Sequence, residues 1–96
     1  MSSRPRFLMI AFDVSDNRRR YRVVRALRDY GERVQKSVFE CCLRPLERRA
    51  LLARLDRLID PDTDRLHVFE LPESDVARIE VLGIGQATTD AAYVVT

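Results

Sequence analysis

The order β-α-β-β-α-β predicts an α+β fold, a ferredoxin-like sandwich with an extra C-terminal strand. Three observations carry this reading. Phe7–Phe12 is an unbroken apolar run. Val23, Ala26, Leu27 and Tyr30 then fall at helical spacing, and Leu51, Leu52, Leu55, Leu58 and Ile59 repeat that pattern in the second half. Two amphipathic helices of this kind need a sheet to cover. The 96 residues make one domain, 1–96, small enough that dimerisation helps its stability, with 72–96 as a C-terminal extension.

The first strand spans Arg6–Asp13; its apolar run is too short for a helix and reads as buried on both faces. Pro5 marks its start and Asp13 its end. Val14-Ser15-Asp16-Asn17 offers good N-cap residues for a helix over about 17–30. Gly31 follows at the C′ position, where positive φ is common. Residues 37–43 are rich in β-formers. Glu32–Gln35 leaves two options open, because Gln35-Lys36 is a poor hairpin turn: a tight hairpin, or one long bulged strand. Pro45 suits the first turn of a second helix, about 45–59, which Asp60-Pro61 ends. Asp62-Thr63-Asp64 is a turn, Arg65–Leu71 a strand closed by Pro72, and Ile79–Leu82 a further short strand before the Gly83-Ile84-Gly85 bend. The β-prone tail Ala92–Val95 is placed to pair with a sheet edge, its own or that of a partner protomer.

Composition limits the function classes. With 46% hydrophobic and 33% charged residues the chain is an ordinary globular one, expected in the cytoplasm; no apolar run approaches the ~20 residues of a membrane span. Cys41 and Cys42 are adjacent and read as small strand residues in a reducing compartment, with too few thiols for a zinc quartet. The net charge of +2 conceals an asymmetry. Residues 1–36 carry ten Lys/Arg against four Asp/Glu, whereas 37–96 carry seven against eleven. Basicity gathered in the first third suggests a polyanion bound on one face.

A strand that delivers one carboxylate to its carboxyl end, beside a basic helix start, is a usual place for a site in an α/β layer. Arg18, Arg19, Arg20 and Arg22 follow Asp13 within nine residues. Cations at a helix N-terminus oppose the macrodipole, so the cluster suits an anion; the structural alternative is a solvated charged face. Asp13 likewise has a structural alternative, capping the loop into the helix. His67 reads as a strand residue.

Phe12-Asp13-Val14-Ser15, the arginine-rich helix start, and above all Tyr30-Gly31-Glu32-Arg33-Val34-Gln35-Lys36-Ser37-Val38-Phe39-Glu40 resemble the small CRISPR-associated adaptation protein, second of the Cas series. The likeness covers about residues 6–95. Phe12 stands where that family often has Tyr, so no phenol hydroxyl serves there. The resemblance implies a homodimer whose C-terminal strands extend the partner's sheet. It also implies a partnership with CRISPR integrase subunits in spacer acquisition, and metal-dependent endonuclease activity on RNA or double-stranded DNA. By position, Asp13 is the catalytic and metal carboxylate. Arg20, Arg22 and Arg33 then lie around the cleft with Arg18 and Arg19 as further nucleic-acid contacts, and Phe39 is a cleft residue unless it is simply core.

The expected cofactor is Mg²⁺ or another divalent cation, a hard ion held by one or two carboxylates, substrate phosphate and water. One Asp per chain is thin for that, and a two-fold axis near the strand ends supplies a second. The alternatives are a purely structural DNA-binding adaptor and a toxin-type ribonuclease of the same fold.

Overall fold

The structure is a computed structural model and describes residues 4–72. Strand β1 (Arg6–Asp13) lies at the centre of the sheet, as its apolar run requires. Alternate residues Leu8, Ile10 and Phe12 are buried beneath the helices. Helix α1 (Asn17–Arg28) presents Val23, Val24, Ala26 and Leu27 to the same core. Asp16 is its N-cap: the carboxylate accepts from the Arg19 amide at 2.9 Å, satisfying one of the free N–H groups of the first turn. The helix ends at Arg28, so Tyr30 lies beyond it, half-buried against the core.

Gly31 is not the helix's left-handed C′ residue. It opens β2 (Gly31–Gln35), and its φ lies outside the left-handed range. The space around it requires glycine: a Cβ there would lie 2.1 Å from the Glu40 carbonyl oxygen and 2.6 Å from Cys41 Sγ. Strand β3 (Val38–Leu43) returns antiparallel to β2, with a register shift between Arg33 and Gln35. Of the two options for this stretch, the tight hairpin holds, turning at Lys36-Ser37; one long strand is ruled out, and the register shift is confined to β2. Side-chain chemistry makes up for the poor turn residues, since Arg33 Nε donates to the Lys36 carbonyl at 3.0 Å.

Helix α2 (Pro45–Leu58) buries Leu51 and Leu55 beside α1. Glu47 Oε1 accepts from the Arg44 amide at 2.8 Å and closes its first turn. Strand β4 (Arg65–Leu71) pairs antiparallel with the other edge of β1, Asp13 opposite Arg65 and Phe7 opposite Leu71. The sheet order β2-β3-β1-β4, antiparallel throughout with both helices in one core, is the ferredoxin-like arrangement. Strand alternation puts Phe7, Met9, Ala11 and Asp13 of β1, and Arg65, His67, Phe69 and Leu71 of β4, on the face away from the helices. No helix among the described residues is long and apolar enough to cross a membrane. The expected strands at 79–82 and 92–95 lie outside the described residues.

Candidate nucleic-acid interface and carboxylate site

Two features meet at the carboxyl end of β1: an unengaged carboxylate and a helix crowded with guanidinium groups. Asp13 is exposed, and no hydrogen bond or ion pair engages its carboxylate among the described residues. The capping work that Asp13 was free to do belongs to other acids. Asp16 caps α1, and Asp64 accepts from the Ser15 amide at 3.1 Å. Asp13 lies in a cleft of about 370 Å³ lined by Phe12, Val14, Arg20, Lys36 and Ser37. The Phe12 amide donates to the Ser37 carbonyl at 3.0 Å, which holds the β2–β3 turn against the end of β1.

Arg20 lines this cleft and is held by the loop it overhangs, donating from Nη2 to the Val14 carbonyl at 2.8 Å and from Nη1 to Asn17. Lys36 brings a second cation to the same cleft from the opposite turn. It was not singled out from the sequence, where it is one basic residue in a turn; the β1–β3 register, with Ala11 opposite Val38, and the Phe12–Ser37 hydrogen bond bring it near Asp13. Arg33 carries out a different task, bracing that turn, with its guanidinium 6.0 Å from the Phe39 ring centroid. Phe39 is fully buried, its ring 6.2 Å from that of Phe12. It therefore supports the cleft from the core side.

The remaining arginines divide. Arg18, Arg22, Arg25 and Arg28 are exposed along α1, a helix with no acidic residue, and none pairs with a carboxylate among the described residues. Arg25 lies over the exposed Tyr21 ring at 5.9 Å. Arg19 turns the other way. Its Nε and Nη2 donate to Asp64 Oδ2 and Oδ1 at 2.9 and 3.3 Å, away from the Asp13 cleft. Asp64, 1% exposed, is the one buried charged residue among the described residues. The Arg19 guanidinium holds its carboxyl well below the usual range, against burial that pushes it up.

Other chemistries find less support. Burial pushes the Cys41 thiol up to about 11, which leaves it protonated and without nucleophilic character at neutral pH. No group of three or more His, Cys, Asp or Glu side chains converges among the described residues. Among the described residues, the one carboxylate that lines this cleft and could serve a hard divalent ion is that of Asp13. It fits such an ion only as one half of a site.

The sequence pattern of the CRISPR associated protein Cas2 family matches residues 6–79. The chain belongs to the Cas2 family. A CRISPR-associated endoribonuclease Cas2 of Chloroflexus aurantiacus is 38% identical over 87 residues, covering 91% of this chain and 94% of the relative. Streptococcus pyogenes Cas2 superposes with a TM-score of 0.71 at 34% identity, over 80% of this chain and 99% of that one. A chain of a partial Cas6-RT-Cas1–Cas2 complex superposes with a TM-score of 0.68 at 26% identity, over 78% and 82%. The motif residues from Phe12 to Glu40 that pointed to Cas2 thus lie in the matched region, and Phe12, Asp13, Val14, Arg20, Lys36 and Ser37 among them line the Asp13 cleft.

Proposed function

We propose that this Cas2 chain is a dimeric nucleic-acid-binding adaptor for the CRISPR integrase in spacer acquisition, with metal-dependent phosphodiester cleavage at paired Asp13 residues. The observation that carries it is the juxtaposition at the end of β1. A carboxylate that no hydrogen bond or ion pair engages among the described residues stands beside Arg20 and Lys36, at the start of a helix whose outer arginines have no carboxylate partner among those residues. Cations left without carboxylate partners are available to phosphates, and each phosphate they neutralise releases counterions. The integrase partnership is supported by the complex in which a related chain is found with Cas1.

Nuclease names among relatives support the cleavage part. When Mg²⁺ or another divalent cation is bound, it supplies activated water and a counter-charge for the phosphodiester. The residues that would hold that ion are the Asp13 carboxylates, one from each protomer. Arg20 and Lys36 fix the scissile phosphate, and Arg18, Arg22 and Arg25 seat the flanking backbone. The apolar side chains Phe7, Met9, Ala11, Phe69 and Leu71 on the sheet face away from the helices, of which Met9 is buried and the others half-buried, support docking of the second copy. A purely structural adaptor is the second reading. What favours it is that Asp13 is the one carboxylate lining the cleft among the described residues.

Duplex binding and cleavage of purified protein, beside a spacer-acquisition assay, test both parts. Asp13→Ala is expected to lower cleavage at least ~100-fold while leaving duplex affinity unchanged. Arg18→Gln/Arg22→Gln/Arg25→Gln is expected to reduce the slope of log affinity against log salt by about 0.9 per arginine and to abolish acquisition. Binding by the triple variant with the wild-type slope would refute the interface. Absence of metal-dependent cleavage by the wild type would leave the adaptor alone.

A further inference from the structure

Asp64 gathers more hydrogen bonds than any other described side chain, and its partners come from two distant parts of the sequence. Oδ1 accepts from the Ser15 amide at 3.1 Å, the Ser15 hydroxyl at 3.3 Å, the Thr63 hydroxyl at 3.1 Å and Arg19 Nη2 at 3.3 Å. Oδ2 accepts from Arg19 Nε and the Asp60 amide, both at 2.9 Å. Arg19 Nη2 also donates to the hydroxyls of Ser15 and Thr63, each at 3.3 Å. A buried carboxylate survives removal from water only when its lone pairs are filled in this way. The side-on Arg19 fork adds direction as well as charge.

What the network holds is the loop that leaves Asp13. Ser15 is two residues beyond Asp13, and Arg19 stands directly before Arg20 in α1. Asp64 therefore fixes the loop from the α2–β4 side through the Ser15 amide. Arg20 fixes it from the α1 side through the Val14 carbonyl. Each residue from Val14 to Asp16 has an anchor, while the Asp13 carboxylate has none among the described residues. A hydrogen-bonded backbone beneath an unengaged carboxylate is the arrangement a preorganised site requires.

We infer that Asp64, acting through Arg19 and Ser15, is a positioning residue that sets the direction of Asp13 and keeps Arg20 over the cleft. The inference rests on the cleavage reading above and adds Asp64, Arg19 and Ser15 to it. Arg19 thereby leaves the set of nucleic-acid contacts and joins the supporting frame. An acid 51 residues from Asp13 in sequence becomes part of the site's support.

Asp64→Asn and Arg19→Lys test this against Leu55→Val, a core truncation in α2 away from the site, at a temperature where all three remain folded. Each protein is followed by amide hydrogen exchange, cleavage kinetics and duplex affinity. In Asp64→Asn, exchange at the Ser15 amide is expected to speed up at least ~10-fold, with β3 and α2 amides tracking the Leu55→Val control. Its kcat is expected to fall at least ~10-fold while KM and duplex affinity stay within about 3-fold. Arg19→Lys keeps the charge but not the fork, and is expected to fall between Asp64→Asn and wild type. Wild-type exchange at Ser15, or a kcat loss no greater than that of Leu55→Val, would overturn the inference. A wild-type protein that cleaves nothing would instead remove the nuclease reading, and Ser15 exchange would still decide whether Asp64 holds the loop.

Discussion

Asp13 and Asp64 are the same residue type in opposite circumstances, and the sequence distinguishes only one of them. Asp13 ends an apolar strand and precedes four arginines within nine residues, so its place at a strand end is legible. Asp64 stands in Asp62-Thr63-Asp64, where any of the acids could serve a turn. Its distinction is burial beside Ser15 and Arg19, contacts that span 49 and 45 residues. Arg19 was unreadable for the same reason, since nothing local separates it from Arg18 or Arg20. The network also makes a pH prediction. Asp64 is held below the ordinary carboxylate value of about 3.9, so its stabilising contribution is complete above that value and is lost as pH falls through its folded value. Asp64→Asn is accordingly expected to melt below wild type at pH 7, with the difference shrinking steadily below about pH 4. Thermal melts from pH 7 to pH 3 check this, and a difference independent of pH would contradict it.

Among the elements, the strands and helices followed their hydrophobic periods, and the departures have local causes. α1 stops two residues short of the expected 30 because Asp29 caps it, its amide bonding back to Ala26 while its carboxylate meets Arg54 Nη1 at 2.7 Å. The β2–β3 turn forms without Asn or Gly because Arg33 supplies the closing hydrogen bond from its side chain. Gly31 belongs to this hairpin through a close approach of backbones, which a pattern of apolar residues does not reveal. Any side chain there must displace the Glu40 carbonyl or push Cys41 into the core. Gly31→Ala is expected to destabilise the protein by about 1–3 kcal/mol, the range for overpacking, measured by urea unfolding. A change below about 0.5 kcal/mol would show that β2 moves away freely.

At the scale of the whole molecule, the ferredoxin-like order was readable because each layer announces itself. One central apolar strand, two helical stripes and two flanking strands have few other ways to form a single core. The partner surface was less readable, since Phe7, Ala11, Phe69 and Leu71 gather on one face only through the β1–β4 register. That face and the half-site at Asp13 lead to one claim: two protomers meet so that their Asp13 carboxylates lie close enough to share an ion. Asp13→Cys in a Cys42→Ser background, treated with a short bismaleimide, tests this most directly, because the buried Cys41 thiol is left protonated and unreactive. A covalently linked dimer is expected on a denaturing gel, its yield unchanged on dilution wherever light scattering shows a dimer. A monomer by light scattering, or a dimer whose position-13 thiols do not link, would contradict it.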